Sequence, residues 1–372
     1  MDGCAVCMPQ PLTQFVQQVI KALGADAEVA AEVASHLVRA NLSGHDSHGV
    51  IRIPQYVRQI ESGEIAPAAR PEILRESEIT AVVDAQRGFG HYSTVFALEW
   101  AMERARKHGL AAVAVRHSTH IGRVGEYAER AAEHGLIGVV TVGAAGPGVG
   151  GMVLHGGQSR FFGANPWSFG IPATGRPPMV FDGSTSMVAE GKVRVARDKG
   201  AQLPPGCIID PEGRPTTSPD AFYAGGALVP LGGEVAGHKG YGLALASALL
   251  GGLGMIDDPE PTLIGATVVQ QVPDRRGIVA GVFLEVIDPA WFGAKERYTA
   301  MVAETLAAAK RIPPVEGVAE VLVPGEPEVR TREQRSREGI PLPATTWRAL
   351  ATVAGRLQVP LPDHSRSDWI ET

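Results

Sequence analysis

Residues 43–57 read SGHDSHGVIRIPQYV and gather two histidines, an aspartate, a serine, an arginine and a tyrosine in one short stretch. Asp, Ser and His together suggest a hydrolase triad, two histidines with a carboxylate suggest a metal site, and Arg with Tyr suggests a pocket for an organic acid. Pro54 suits the first turn of a helix that carries Tyr56 and ends at Gly63. The stretch therefore predicts a functional site beside the start of a helix.

The composition is that of a soluble globular protein. Of its 372 residues, 44% are hydrophobic and 20% are charged, which suggests roughly two or three domains. The formal net charge of −6 offers no basic surface to nucleic acid or anionic lipid. The N-terminus lacks a secretory-signal pattern, and no run of about 18 apolar residues suits a membrane span. We therefore expect a cytoplasmic protein without nucleic-acid or membrane partners.

Three cysteines are too few for a disulfide framework in a chain of this length. Cys4 and Cys7 form a C-x-x-C pair, but a zinc ribbon needs a second pair, and a thioredoxin-like site needs a strand before it and a helix after it. We expect the pair to be inert near a loose terminus.

Hydrophobic periodicity predicts alternating strands and helices, as in α/β proteins. The first helical region is divided at residues 24–26, with Asp26 as an N-cap. The helix over 240–253 is rich in small apolar residues, and we expect it to be buried on all sides. Residues 86–93 read as a loop. Further helices are predicted at 96–108, 125–134, 296–310, 331–339 and 345–357, and strands at 79–85, 110–118, 136–143, 277–287 and within 313–327.

The sequence GPGVGG at 146–151 formally matches the glycine pattern of a Rossmann dinucleotide-binding loop. That pattern also needs a helix opening at the loop and an acidic residue about 20 positions later. Neither is present, because a helix of normal length has no room here and residues 166–175 contain no Asp or Glu. We expect these glycines to mark tight backbone beside a site or a subunit contact.

A metal site and a serine nucleophile are both poorly supported by residues 43–57. His45 and His48 lie in a Gly-flanked segment without the H-E-x-x-H pattern of metal-binding helices, and no Cys/His cluster supplies further ligands. A nucleophilic serine normally sits on a strained turn such as G-x-S-x-G. Adjacent Ser47 and His48 should point apart, so we expect no hydrogen bond between the hydroxyl and the imidazole.

An acid-binding redox pocket is the third possibility. His48, Arg52 and Tyr56 recur every four residues, so they could line one helical face. Arginine binds a carboxylate through two N–H groups, and histidine supplies the proton that moves when a carbonyl becomes an alcohol. The residues alone fit equally well with a capped helix start carrying surface polar groups.

At this point the sequence closely resembles the malate/L-lactate dehydrogenase family of the second, non-Rossmann type, whose relatives include sulfolactate and ureidoglycolate dehydrogenases and a piperideine-2-carboxylate reductase. Six ordered motifs carry the resemblance: SGHDSHGVIRIPQYV, HSTHIGRVGEYAERAAEHGLIGVV, FFGANPWSFGIP (with Ala164 where Thr is usual), FDGSTSMVAEGKV, GHKGYGLAL and VLVPGEPEVRTREQRSREGIPLP.

The resemblance implies an α/β fold with a non-Rossmann, mixed-sheet domain that binds NAD(H) or NADP(H). A helical domain, residues 1–74 completed by 330–372, would pack beside this central domain of residues 75–329. The family is dimeric, so the resemblance also implies a homodimer. The site would lie between domains and near the partner subunit.

The resemblance names His48 and His120 as acid/base candidates. In some relatives a Ser–His pair matching Ser47 and His48 forms a relay with a downstream Asp, but Lys192 stands at that position here. The relay is therefore incomplete. Because that Asp belongs to the cyclic-imine reductases, its absence here disfavours an imine reductase. Lys192 is either a residue that contacts substrate or phosphate, or a surface lysine.

Arg52, Tyr56 and Asn165 match substrate-side residues, and Arg275 or Arg276 offers a second anion contact. Arg335 matches a phosphate contact, although a solvated helix explains it equally well. The loop at 120–125 matches a cofactor-contacting turn where backbone N–H groups suit phosphate. The other matched cofactor positions are His120, Ile121, Gly122, Arg123, Gly125, Asp182, Gly183, Ser184, His238 and Lys239; no metal ligand is expected.

The favoured hypothesis is an NAD(P)-dependent oxidoreductase that reduces a 2-oxo acid to a 2-hydroxy acid, with His120 or His48 as proton donor and Arg52 on the carboxylate. The first alternative keeps the fold but reduces a cyclic imine such as piperideine-2-carboxylate. The second is a cofactor-binding protein without catalysis, which the presence of His48, Arg52 and His120 disfavours.

Overall fold

The structure, a computed structural model, describes residues 4–258 and 277–367. Its α-helices are α1 Pro9–Ala22, α2 Ala27–Leu42, α3 Ile53–Glu61, α4 Gly90–His108, α5 Gly125–Glu133, α6 Glu190–Asp198, α7 Pro219–Tyr223, α8 Gly233–Gly251, α9 Lys295–Lys310, α10 Glu326–Glu338 and α11 Ala344–Leu357. Its strands are β1 Cys4–Cys7, β2 Glu72–Glu76, β3 Thr80–Asp84, β4 Leu110–Arg116, β5 Ile137–Ala145, β6 Met152–Val153, β7 Arg160–Phe162, β8 Trp167–Ile171, β9 Met179–Gly183, β10 Ile208–Ile209, β11 Pro215–Thr216, β12 Ala227–Leu228, β13 Val279–Ile287, β14 Ile340–Leu342 and β15 His364–Ser367.

A large mixed sheet occupies the centre of the molecule. Its strand order is β11-β10-β12-β6-β7-β5-β13-β4-β3-β2, and β8 and β9 join through β5. β5 and β13 run antiparallel in register along their whole length, and β3 pairs in parallel with β4. The mixed sheet confirms the predicted non-Rossmann α/β class, because a Rossmann sheet is mostly parallel.

The first helices follow the predicted pattern. The Asp26 carboxylate accepts hydrogen bonds from the backbone N–H groups of Glu28 and Val29, each at 3.0 Å, and so caps α2. Pro54 lies in the first turn of α3. Two successive 3₁₀ turns, Asp46–His48 and Val50–Arg52, join α2 to α3. They set the direction of the side chains in the 43–57 stretch.

We expected the C-x-x-C segment to lie near a loose terminus, but it lies within a sheet. Cys4–Cys7 forms the central strand of a three-stranded antiparallel sheet, between β14 and β15. Both neighbours come from the C-terminal end of the chain, which no local pattern reveals. The cysteines are free thiols, and burial raises the pKa of Cys7 to about 11, so it stays protonated.

Helix α8 is not buried on all sides. Its small residues face the sheet, where a Cβ on Gly251 would lie 2.4 Å from the Gly281 carbonyl oxygen. The opposite face leaves Leu249 54% exposed and Leu243 45% exposed. Small residues allow close packing on the side of α8 that faces the strands. The apolar composition of the helix does not imply that its opposite side is buried.

Two other predictions about elements were wrong, and one helix was not predicted. Helix α4 begins at Gly90 instead of residue 96, so the expected loop at 86–93 is partly helical. Residues 313–325 contain no strand, and α10 begins at Glu326. Helix α6 was not predicted. Glycines obscured the start of α4, and the short polar α6 lacks a clear apolar period.

The buried hydrophobic residues form separate clusters. One joins Leu12, Phe15 and Tyr56 to Ile340 and Leu350, so both chain ends share a core. Another lies between the central sheet and helices α4 and α5. The exact domain limits of 74 and 330 stay predictions. None of the helices in the described ranges has the length and apolar character that crossing a bilayer requires.

Candidate active site

The structure brings His48 and His120 together. His48 ends the first 3₁₀ turn, and His120 follows β4. Their imidazole rings are stacked, with centroids 5.7 Å apart and an interplanar angle of 14°. Both side chains are partly exposed, so the pair can meet a small molecule.

Tyr56 lies behind His120 instead of facing the open side of the pair. Its ring is 1% exposed, and its Oη is 2.7 Å from His120 Nδ1. The same oxygen is 3.3 Å from Nε2 of His91, a buried residue in the first turn of α4. The substrate contact that the resemblance implies for Tyr56 stays a prediction, and in this structure its hydroxyl contacts the two histidines. His91 was missed because a single histidine in a glycine-rich segment gives no spacing signal.

Ser47 and His48 do form a hydrogen bond, contrary to our expectation. Ser47 Oγ and His48 Nδ1 are 3.0 Å apart. The 3₁₀ turn brings the hydroxyl to Nδ1, the ring nitrogen nearer the backbone, which the argument from adjacent side chains did not consider. In the described ranges no carboxylate contacts the His48 ring, so the contact lacks the third member of a hydrolase triad.

The histidines of this site are held neutral. Burial is the largest cause, and it lowers the pKa of His48 and of His91 to about 3. Burial also lowers the pKa of His120 well below its ordinary value, with further lowering by the positive charge of Arg52. A bound carboxylate would reverse part of this effect, because it places a negative charge beside the rings.

Arg52 is held in one orientation by two internal contacts. Its Nε donates to the Ser47 carbonyl oxygen at 2.6 Å, and its Nη1 donates to Gln55 Oε1 at 2.9 Å. Arg52 is half-buried as a residue, and its guanidinium retains N–H groups for a carboxylate. Sequence reasoning missed Gln55, although its position one helical turn after Arg52 is a usable signal.

The 120–125 segment is more enclosed than predicted. The Arg123 side chain is 1% exposed and pairs with Glu129 at 3.0 Å, and the Arg123 backbone N–H donates to His36 Nε2. The backbone N–H of Gly125, at the start of α5, donates to Asp182 Oδ2 at 2.8 Å. These groups already have internal partners, and their predicted contact with a cofactor phosphate stays a prediction. Ile121 and Gly122 are buried as well.

Other predicted cofactor residues remain accessible. Asp182, Gly183 and Ser184 follow one another along the end of β9 and are partly exposed, and His238 and Lys239 are exposed on α8. The two segments are neighbours, because the Leu231 N–H, just before α8, donates to the Thr185 carbonyl oxygen at 2.8 Å.

Asn165 supports the site without pointing into it. Its backbone is left-handed, with φ of 40°, and its side chain joins two elements. Oδ1 accepts from the Ala144 N–H at 3.0 Å, while Nδ2 donates to the Ala244 carbonyl oxygen at 2.8 Å. Each end of the amide has one internal partner, and the predicted substrate contact of Asn165 stays a prediction.

Two basic residues lie apart from the histidine pair. Arg335 forms a two-point contact with the Asp46 carboxylate, at 2.8 and 3.0 Å, and its predicted phosphate contact stays a prediction. Lys192 is exposed on α6, and its charge lies near the Cys207 thiol. The residue of α6 that lies close to Ser47 is Gly191, the neighbour of Lys192. A Cβ added to Gly191 would be 3.3 Å from Ser47 Cβ. Arg275 and Arg276 lie outside the described residues.

The chain belongs to the malate/L-lactate dehydrogenase family, whose sequence profile matches residues 8–351. It is 37% identical over 358 residues to hydroxycarboxylate dehydrogenase B of Escherichia coli strain K12, covering 94% of each chain. It is similar to the solved sulfolactate dehydrogenase of Methanocaldococcus jannaschii, with a TM-score of 0.83, 31% identity, and coverage of 96% of this chain and 98% of that one. A Pseudomonas putida pyrroline/piperideine-2-carboxylate reductase is 36% identical over 246 residues, covering 65% of this chain and 70% of the reductase.

Proposed function

We propose that the protein interconverts a 2-oxo acid and the corresponding 2-hydroxy acid, using NAD(H) or NADP(H). The observation that carries the proposal is the stacked pair of His48 and His120 beside the oriented guanidinium of Arg52. A proton-donating histidine, a second imidazole and an arginine that binds anions suit a substrate that contains a carbonyl and a carboxylate. Membership of the dehydrogenase family supports the same reaction class.

The accessible polar groups fit a nicotinamide dinucleotide. Asp182 uses Oδ2 for the Gly125 N–H, and in the described ranges Oδ1 makes no hydrogen bond, so it can accept one from a ribose hydroxyl. The exposed Lys239 offers a positive charge to a phosphate. Ser184, two residues after Asp182, adds a hydroxyl on a partly exposed residue. When bound, the nicotinamide supplies the hydride that adds to the carbonyl carbon.

The chain's own residues provide position and the proton. Arg52 binds the substrate carboxylate and thereby fixes the neighbouring carbonyl. The bound substrate carboxylate raises the pKa of His120, so the ring takes up a proton from solvent as the substrate binds. His120 Nε2, which makes no hydrogen bond in the described ranges, then donates a proton to the carbonyl oxygen as the alcohol forms, and the ring becomes neutral again. His48 stacks against His120 and limits the motion of its ring.

Thermal-shift measurements on the purified protein test this proposal and its alternatives. We expect NADH or NADPH to raise the unfolding temperature, and a 2-oxo acid to raise it further. Turnover of the same compounds is assayed in parallel, with piperideine-2-carboxylate included. Preferential turnover of piperideine-2-carboxylate would instead support an imine reductase. Binding of neither nucleotide, or absence of turnover for every 2-oxo acid, would contradict the proposal.

We also propose that the active form is a homodimer. The exposed face of α8, with Leu243 and Leu249, is one of the supporting features, because such leucines are costly in water. Helix α9 is another, since it has no buried residue and leaves Met301 54% exposed. Light scattering should give twice the 39.1 kDa chain mass, and Leu249→Glu should lower it. A monomeric wild type would contradict the dimer. The cytoplasmic location stays a prediction from the sequence.

A further inference from the structure

A line of aromatic rings runs from the protein core to the exposed side of His120. The ring centroids of His36 and His91 are 4.9 Å apart, and those of His91 and Tyr56 are 5.6 Å apart. Tyr56 and His120 follow at 6.0 Å. His36, His91 and Tyr56 are buried, so their protons are set by the few polar atoms they contact.

The tautomer of His36 is fixed by the backbone. The Arg123 N–H donates to His36 Nε2 at 2.9 Å, so this nitrogen carries no proton. Burial lowers the pKa of His36 well below its ordinary value, and the neutral ring therefore has its proton on Nδ1. His36 Nδ1 and His91 Nδ1 are both buried, and neither has a hydrogen-bond partner.

Tyr56 has one proton and two imidazole neighbours. It can donate to His120 Nδ1 while His91 Nε2 donates to it, or it can donate to His91 while His120 Nδ1 donates to it. The second arrangement would put a proton on His91 Nδ1, beside a His36 ring that already has one there. Two buried donors would then lack acceptors, so the first arrangement is favoured.

We propose that His91 acts through Tyr56 as a positioning residue that keeps the proton of His120 on Nε2, the nitrogen facing the substrate. This rests on the proposed function only for its kinetic consequence. The free protein then already directs the His120 Nε2–H group to the side where the substrate carbonyl would bind, and the Nδ1 side of His120 is closed by the phenol. The order of donors is His91 Nε2, Tyr56 Oη and His120 Nε2.

The test combines nitrogen NMR with kinetics. In ¹⁵N-histidine-labelled wild-type protein, the His120 signals, assigned with a His120→Gln sample, should be those of the neutral Nε2–H tautomer. In Tyr56→Phe and His91→Phe they should become those of a tautomer mixture. His91→Gln, whose amide can replace the Nε2 donor, should restore the wild-type tautomer.

Kinetics provide the second measurement. We expect kcat for 2-oxo acid reduction to fall about tenfold in His91→Phe and about 30-fold in Tyr56→Phe, within the range of general acid catalysis, with KM values little changed. His91→Gln should recover most of the kcat. The matched control is Tyr92→Phe. Tyr92 lies on the same helix as His91, but its phenol hydroxyl contacts Glu28.

Two results would overturn the inference. One is an Nδ1–H tautomer of His120 in the wild type, and the other is a His120 tautomer unchanged by both Tyr56→Phe and His91→Phe in variants whose circular dichroism shows a native fold. The NMR experiment needs no substrate. If no 2-oxo acid is turned over, the proposed function fails while the tautomer assignment is still decided.

Discussion

His117 and His120 lie three residues apart after β4, yet they have opposite surroundings. His117 Nδ1 is 3.0 Å from Asp84 Oδ2, and its Nε2 is 3.2 Å from Asp258 Oδ2. In the described ranges no carboxylate contacts His120, which instead meets His48 and Tyr56. One histidine therefore lies between two carboxylates, while the other is held neutral by burial beside a second imidazole and a phenol.

Arginines accompany both histidines and sharpen the contrast. Arg116 contacts the Asp84 and Asp258 carboxylates, at 3.0 and 3.2 Å. Arg52 contacts a carbonyl oxygen and an amide oxygen, so its charge is not neutralised. Arg116 and His117 are thus occupied by ion pairs with carboxylates, whereas Arg52 and His120 make no such ion pair in the described ranges, which leaves Arg52 available for an anionic substrate.

The largest expected difference is in turnover. His120→Gln should lower kcat for 2-oxo acid reduction by about 10²- to 10⁴-fold, because it removes the proton donor. His117→Gln should change kcat by no more than about threefold, since its partners hold it away from the reaction. Steady-state loss of reduced nicotinamide absorbance measures both. Similar losses in the two variants would abolish the distinction.

The next effect concerns substrate affinity. Arg52→Lys should raise KM for the 2-oxo acid by about 30-fold, because lysine loses the planar two-point contact with a carboxylate. KM for the nucleotide should stay unchanged. Arg116→Lys is the matched control, and it should leave both values close to those of the wild type. An equal rise in both KM values for Arg52→Lys would contradict its assigned role.

Acid should destabilise the protein through its buried neutral histidines. Their pKa values are lowered on folding, so below about pH 6.5 the unfolded chain binds more protons and the free energy of unfolding falls with pH. His91→Phe should remove about 1.4 kcal/mol of the wild-type decrease between about pH 7.5 and about pH 5.5. Urea unfolding at the two pH values measures this decrease. An unchanged decrease in His91→Phe would show that His91 binds protons equally in both states.

The smallest effect concerns the support of Arg52. Gln55→Leu removes the amide oxygen that accepts from Arg52 Nη1, while the Ser47 carbonyl contact stays. We expect KM for the 2-oxo acid to rise about threefold to fivefold, because the Arg52 guanidinium loses one hydrogen bond and keeps its contact with the Ser47 carbonyl oxygen. Gln59→Leu, one turn further along, should have less effect on KM. The reverse order would contradict the support attributed to Gln55.

The sequence predicted the elements that position the site but not the groups around it. The long strands β5 and β13 and the start of α3 follow from apolar runs and from Pro54. The contacts of Tyr56 with His91, and of Arg335 with Asp46, join residues far apart in the chain. No local pattern encodes such pairs.

Burial was also beyond local prediction. Arg123 and Asp182 occupy positions that the family resemblance assigned to the cofactor, and no sequence pattern indicated that they also have internal partners, Glu129 for Arg123 and the Gly125 N–H for Asp182. A polar residue at the end of a strand or the start of a helix can contact a ligand or hold two elements together. Only the packed structure distinguishes these roles.

The most direct test of the account is an assay of purified wild-type protein and His120→Gln with NADH or NADPH and a panel of 2-oxo acids. The account predicts that at least one 2-oxo acid causes oxidation of the reduced nucleotide by the wild type. It also predicts that the variant, at equal thermal stability, loses at least about 100-fold in rate. No oxidation with any combination, or an undiminished rate in His120→Gln, would contradict the account.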